Sequence, residues 1–320
     1  MTKLKAAACV VLFPVAGTAA TMDATDLLRQ YNLITSGNVV SQQEVEGHAY
    51  IGGNLSGNTV QFDFKHADVP DSGLAEVVVL GDNSAMIKGQ KGTNGTTVVI
   101  EGTNTSFVET ANAAYVGTNN GTIQNVDKIL TESTGLVPDR SDVIDVLNAT
   151  AEELAGMAST GTLTKTGQGY VFGSGIYNID ETYFGSGWPY EFTLAPEAGE
   201  TTIINVAGKS IRLEENFVGT AYETAQSVLW NFYEATELYL DRTIIGSVLA
   251  PNAEVSVNAS MEGTLFAASA LLSGGEVHLQ QFSGTIPGGA PAPSPVPLPA
   301  ALPMLLAAFG GLAFLRRRRA

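Results

Sequence analysis

Short apolar runs broken by clusters of Gly, Asn, Asp and Pro fill most of the chain between residues 31 and 286. Val77-Val78-Val79-Leu80, Thr97-Val98-Val99-Ile100 and Ala114-Tyr115-Val116 are separated by polar clusters such as Gly81-Asp82-Asn83 and Thr118-Asn119-Asn120-Gly121. Runs of this length, bounded by residues that tolerate positive φ, read as strands joined by tight corners. The pattern resumes later with Gly169-Tyr170-Val171-Phe172, Thr202-Ile203-Ile204-Asn205-Val206 and Ser210-Ile211-Arg212-Leu213. Near the end it repeats itself, because Gly246-Ser247-Val248-Leu249-Ala250 returns 17 residues later as Gly263-Thr264-Leu265-Phe266-Ala267. Leu238-Tyr239-Leu240, Val255-Ser256-Val257 and Leu271-Leu272 supply strands around both copies. Such an echo suggests stacked coils, each able to bury its inner face only against its neighbours. A sandwich of hairpins is compatible with the same spacing.

Two stretches follow a helical period instead. Residues 23–30 can form a short helix. After Pro138, either Asp139 or Ser141 can cap a longer one, with Asp142 and Asp145 in a first turn where the dipole favours carboxylates. Val143, Leu147, Ala151, Leu154 and Met157 recur on one side, and the helix is expected to end between residues 156 and 161. A single amphipathic helix among strands must lay its stripe on a sheet face, which in a solenoid means running beside the coils. The expected fold is therefore mainly β: a β-solenoid (β-helix-like) body with one long amphipathic α-helix packed alongside.

The ends differ in composition from this body. Lys3 and Lys5, an apolar run over 6–17 and Thr18-Ala19-Ala20 read as a secretory signal peptide, cut near Ala20 by signal peptidase. Cys9, the one cysteine, lies inside it, so the exported protein would carry no thiol to form a disulfide, bind metal or act as a nucleophile. Beyond Ile286 a Pro- and Gly-rich linker (287–295) leads to an apolar run and four arginines. Residues 296–315 would span about 30 Å as a helix, matching a bilayer core, so a C-terminal transmembrane helix is expected. Pro297, Pro299 and Pro303 shorten its helical part, and Arg316, Arg317, Arg318 and Arg319 place the terminus in the cytoplasm. The domains expected are thus a signal peptide (1–20), a solenoid body (21–286), the linker (287–295) and the tail (296–320). Removing the six basic residues of the ends from the 16 in the chain leaves 10 against 32 acidic ones, a formal charge of −22 on the body. Such a body repels nucleic acid and anionic lipid.

Tyr31-Asn32-Leu33-Ile34 with Gly37-Asn38, then Val45-Glu46-Gly47-His48-Ala49-Tyr50-Ile51-Gly52-Gly53-Asn54-Leu55, resemble the opening motif of the choice-of-anchor A domain proteins of bacterial surfaces. The two echoed coils and Phe282-Ser283-Gly284 resemble that family's closing motif, so the matches bracket residues 31–284. The resemblance implies an adhesive β-helix-like domain with varied C-terminal anchors and no catalytic residues. The closing coils are also similar to ice-binding β-solenoids, in which a long helix packs beside the coils. Val296-Pro297-Leu298-Pro299-Ala300, followed by the apolar run and the arginines, resembles a PEP-CTERM sorting signal in its VPLPA variant. That resemblance implies an exosortase-like enzyme as a partner. It also implies an inner-membrane-tethered sorting intermediate on the way to the cell surface or extracellular matrix.

Candidate chemistry is sparse. His48, His66 and His278 are far apart and belong to no metal or nucleophile motif; in a solenoid His48 and His278 would meet only if coils interleave. Asp63, Asp68 and Asp71 could bind calcium weakly but lack the spacing of a known loop. Trp188 and Trp230 read as core or coil-edge packing, and the Asn-x-Ser/Thr triplets at Asn54, Asn104 and Asn258 as turn chemistry without glycans. No catalytic residue, cofactor or metal is expected. The function expected is cell-surface adhesion or matrix structure, with an extracellular polysaccharide or cell-surface ligand as partner. The alternatives are a carbohydrate-binding or carbohydrate-active β-helix, which needs carboxylates lining a groove, and an ice-binding protein. Ice binding needs a flat ladder of threonines, of which Thr162 and Thr164 make one pair.

Overall fold

A computed structural model describes residues 22–65, 72–90, 95–185, 187 and 189–288. The apolar runs form three-sided coils whose strands pair in parallel from one coil to the next. On the first side the order is Lys128–Ile129, Ala113–Asn119, Val98–Asn104, Val77–Val79, Ala49–Ile51, Leu33–Thr35, Leu265–Leu272, Ser247–Val257, Val228–Asn231, Thr202–Ala207 and Gly175–Asp180. The stack is not laid down in chain order. The N-terminal coils build outward from Leu33–Thr35, and the C-terminal coils start at the far end and build back until Leu265–Leu272 docks on that same strand. First and last coils are therefore neighbours, joined by Ile34 opposite Phe266. Thr164–Lys165 against Gly169–Phe172 is an antiparallel pair, and the hairpin-sandwich alternative is not adopted.

Alternation along each strand sends one set of side chains into the solenoid and the other outward. Leu33, Ile51, Val79, Val98, Trp230, Val248 and Leu265 point in and are fully or almost fully buried. Trp230 is core, as its sequence context suggests: Phe172, Phe184, Phe192, Phe217 and Phe232 surround its ring, and its indole N–H donates to the Ile245 carbonyl at 2.9 Å. Trp188 lies outside the described residues. The echoed glycines have a steric cause. Gly246 and Gly263 turn their corners at φ 107° and 150°, and a Cβ on Gly263 would lie 2.5 Å from the Gly246 carbonyl oxygen one coil away.

The outward side chains of the first side form one row in register: Tyr115, Val99, Val78, Tyr50, Ile34, Phe266, Leu249, Asn231, Asn205 and Asn178. Helices cover this row. α1 (Ala24–Gln30) is capped by Asp23, whose carboxylate accepts from the Asp26 N–H, and it buries Leu27 and Leu28. A π turn over Ser141–Asp145 buries Val143, and α2 (Val146–Ala155) after it buries Leu147, Ala151 and Leu154, as the stripe predicts; Met157, the last of the stripe, lies past the helix end and is half-buried. The helix is shorter than the long one expected. Neither Asp139 nor Ser141 caps it, because the residue before the turn, Arg140, is already helical (φ −55°, ψ −40°), so no extended residue there turns a side chain back onto the first N–H groups.

The asparagine end of the row fastens the helix. Asn231, Asn205 and Asn178 each donate from Nδ2 to a main-chain carbonyl, those of Ala151 (2.8 Å), Leu154 (2.7 Å) and Met157 (2.9 Å). Asn231 also donates to Asn205 Oδ1, and Asn205 to Asn178 Oδ1, both at 2.9 Å. The acceptors are three residues apart, about 4.5 Å along a helix. Successive strands are about 4.8 Å apart. The two repeats match, so one helix can be bonded strand by strand only if it runs along the stack. Leu154 lies in the last turn, where carbonyls run short of i+4 helical partners, and Met157 lies just past it.

The expected signal peptide, Cys9, linker end and transmembrane helix fall outside the described residues, among which no helix is long and apolar enough to cross a membrane. Asn205 is 2 % exposed, whereas Asn178 is exposed to water. Asn205→Ala is therefore expected to destabilise the body by about 2 kcal/mol and Asn178→Ala by about 0.5 kcal/mol or less, read from urea unfolding. Equal costs for the two would show that the row does not hold the helix.

Candidate functional site

With the first side under helices, the second side carries an ordered set of outward polar groups. Its strands are Ser210–Leu213, Glu237–Leu240, the later parts of Ser247–Val257 and Leu265–Leu272, then Val39–Ser41 and Leu55–Gly57. Ile211, Leu238, Val255, Ala270, Val39 and Leu55 point inward and are buried. Their neighbours form a central outward row of Arg212, Tyr239, Ser256, Leu271, Val40 and Ser56, each opposite the next. Beside it run Ser210, Glu237, Glu254 and Ser269 in the same register.

These side chains hold one another in place. The Arg212 guanidinium pairs with Asp241 and lies 4.3 Å from the centre of the Tyr239 ring. Asn258 donates to Asp241 (2.6 Å), and Ser273 donates to Asn258 (2.9 Å). Ser210 donates to Glu237 (2.9 Å). Thr236, Glu237, Tyr239, Glu254 and Ser256 line a shallow groove. Sequence reasoning placed Ser210, Arg212, Tyr239 and Ser256 on strands but singled out neither the face nor Glu237 and Glu254.

A second polar cluster closes the seam between first and last coils. Asn32 spans it, donating from Nδ2 to the carbonyls of Gly263 (2.8 Å) and His278 (3.1 Å), while its own N–H donates to the His48 carbonyl (2.9 Å). The coils thus do interleave, and the two histidines expected to stay apart lie on adjoining coils. Their rings serve separate networks. His278 sits between Glu262 (Nδ1, 2.7 Å) and Glu276 (Nε2, 3.1 Å), and buried Glu46 accepts from the Leu279 N–H (2.8 Å) and pairs with Lys65. Burial pushes the His278 imidazole down, but the bonds from Glu262 and Glu276 outweigh it and hold its pKa above the usual 6.5. Glu46, Glu276 and His278 bring ligand atoms within 4.8 Å of one another. Both imidazole nitrogens already face carboxylates and Lys65 neutralises Glu46, which makes this an ion-pair network closing the seam.

The remaining sequence candidates are structural or undescribed. His48 Nε2 lies 3.5 Å from Asp63 and Nδ1 faces Gln30 at 3.3 Å; Asp63, fully buried at φ 53°, accepts from Thr96 (3.0 Å). The calcium reading is corrected there, since that carboxylate points into the protein. Asp68, Asp71 and His66 lie outside the described residues, as do Val296, Pro297, Leu298, Pro299 and Ala300 and Arg316, Arg317, Arg318 and Arg319. Asn104 is buried in a ladder with Asn83 (2.8 Å) and Asn119 (2.9 Å), closed to any glycan. Thr164 stands opposite Val171, so the Thr162 and Thr164 pair does not extend into a ladder there. Glu215, which sequence reasoning passed over, is fully buried and pushed up to about 7 by desolvation, although it accepts from the Gly185 (2.8 Å) and Glu214 (3.1 Å) N–H groups.

A family model described as "Putative Ice-binding-like adhesive domain" matches residues 24–279. Among solved structures, a glycosylated ice-binding protein from an Arctic yeast is similar at 11 % identity and a TM-score of 0.37, covering 87 % of this chain and 98 % of that one. No curated protein matches.

Two pH effects follow from the buried groups. Glu215 keeps its proton in the folded protein between about 4.5 and about 7, where the unfolded chain loses it, so stability falls as pH rises across that window. His278 contributes stability that is fully present below 6.5 and lost as pH rises through its raised folded value. Urea midpoints measured from pH 4 to pH 9 should decline in two stages. Glu215→Gln should flatten the acid-side decline and His278→Gln the alkaline one; a profile unchanged in either variant would remove that group from the account.

Proposed function

The chain belongs to the ice-binding-like adhesive domain family, and we propose that it is a non-enzymatic adhesin whose second side is the adhesive surface. The observation that carries this reading is the six-strand outward row from Arg212 to Ser56, set in register on a parallel sheet. Its flanking groups are already hydrogen-bonded to one another. A surface ordered before contact loses little conformational entropy on binding an extended partner. The chain is exported by its signal peptide, sorted through the Val296 to Ala300 motif by an exosortase-like enzyme in the manner of PEP-CTERM signals, and displayed at the cell surface or in the matrix.

The family description also supports ice as the target. The chemistry of the second side argues for the adhesive reading, since Arg212, Glu237 and Glu254 hold water strongly and interrupt any ladder of small hydroxyls. Cells lacking the gene are expected to regain surface attachment with the full-length chain and not with a chain ending at Pro295, which should be shed. Failure of the full-length chain to restore attachment overturns the adhesive reading. Thermal hysteresis produced by the purified body would establish the ice reading in its place.

A further inference from the structure

The third side of the C-terminal coils contains a break in the stack. Along the first and second sides these coils pair without interruption through Val228–Asn231 and Glu237–Leu240. On the third side Asn216–Val218 pairs with Glu191–Leu194, and Ile244–Ile245, from the following coil, pairs with Met261–Glu262. The two do not pair with each other, so among the described residues two strand edges stand open between consecutive coils. A helical turn over Ala221–Thr224 packs into the break against Glu191–Leu194 and Ile244–Ile245, burying Ala221 and turning Tyr222 outward, 55 % exposed. A recess of about 190 Å³ opens there, lined by Glu215, Asn216, Phe217, Tyr222, Arg242 and Thr243. The fold does not use up its outer side chains. Among the described residues the exposed Arg242 guanidinium makes no hydrogen bond, ion pair or ring contact, whereas the neighbouring Asp241 is taken by Arg212 and Asn258. The Tyr222 ring meets no other ring among them. Glu215 lies in the floor, fully buried, its oxygens accepting from the Gly185 and Glu214 N–H groups, so it shapes the recess from beneath.

We propose that this recess binds one neutral hexose unit of an extracellular polysaccharide. The apolar face of the sugar rests on Tyr222, and its hydroxyls, each able to donate and to accept, meet Arg242, Asn216, Thr243 and the open strand edge. Charge decides among the sugar classes. Arg242 turns an ammonium group away, and a body of formal charge −22 repels a polyuronate. A peptide cannot add to the edge as a strand, because the turn over Ala221–Thr224 already stands in the break. At about 190 Å³ the recess is smaller than the roughly 300–1,000 Å³ of sites for drug-sized ligands, which suits a single unit of a longer polymer. The site lies on the third side, apart from the row that runs from Arg212 to Ser56, so it stands or falls independently of the adhesive reading.

The probes are cellohexaose, laminarihexaose and maltohexaose, titrated calorimetrically into the purified full-length chain at low and high salt beside a galacturonate hexamer and a glucosamine hexamer. At least one neutral hexamer should bind, with an affinity that salt leaves unchanged, since no ion pair forms. Tyr222→Ala and Arg242→Gln should each weaken that binding about tenfold, through loss of the aromatic platform and of a charge-assisted donor. Tyr190→Ala, equally exposed but outside the recess, should leave it unchanged. The altered side chains are all exposed, so urea midpoints should match that of the unaltered chain and keep misfolding out of the comparison. Binding of none of the neutral hexamers overturns the inference, as does binding that Tyr222→Ala and Arg242→Gln leave intact. Equal or tighter, salt-sensitive binding of a charged hexamer overturns the neutral class, and an equal loss in Tyr190→Ala overturns the placement in the recess.

Discussion

Parallel pairing at a fixed distance between coils is the constraint on which the other features depend. Each coil leaves main-chain N–H and C=O groups and apolar side chains that only the next coil can satisfy, so the stack is stable as a whole or not at all. The same repeat of about 4.8 Å lets outward side chains line up in rows. Where a row is apolar, from Tyr115 to Leu249, it must be covered, and where it is asparagine, from Asn231 to Asn178, it can bond the cover directly. Because three helical residues rise almost the same distance, α2 is held parallel to the stack through Ala151, Leu154 and Met157.

Covering one side decides what the others can do. The rows beneath α1 and α2 are spent on the hydrophobic cluster of Ile34, Tyr50, Phe266, Leu147 and Leu154. The second side is free of that duty, and its row passes from Arg212 and Tyr239 to Leu271 and Val40, combining charge, an aromatic ring and apolar contact on a rigid support. Rigidity here comes from the inward partners Ile211, Leu238, Val255 and Ala270, which anchor each strand in the core.

The seam is where the discontinuous order of the stack is reconciled. Two sheet edges that form at opposite ends of the chain must find each other, and backbone pairing alone would allow slippage. Asn32, bonding Gly263, His278 and Gly47, fixes the register, and the carboxylates around His278 and Lys65 add charge-dependent contacts specific to that alignment. Placing titratable groups at the junction ties closure of the stack to pH, while the asparagine row that holds α2 carries no charge.

Local features of this fold were legible in the residues. Short apolar runs between polar corners marked Val77 to Val79 and Leu238 to Leu240 as strands, the buried stripe of α2 followed from its own spacing, and the echo at Gly246 and Gly263 reflected a corner that each coil repeats. Alternation also separated Ile211 and Leu238 from Arg212 and Tyr239 within their strands, because neighbouring side chains on a pleated strand must point opposite ways. It could not say which side of the coil would be covered, nor that Ser256 would sit in a groove beside Glu237 and Glu254. Those depend on register between strands, and register between Ile34 and Phe266 or Asn32 and His278 has no local period to reveal it. The sequence by itself determined the strands, corners and helical stripe, since these arise from near neighbours on the chain; only the tertiary structure decided coil order, seam and exposed face, since these arise from contacts whose partners are brought together by folding.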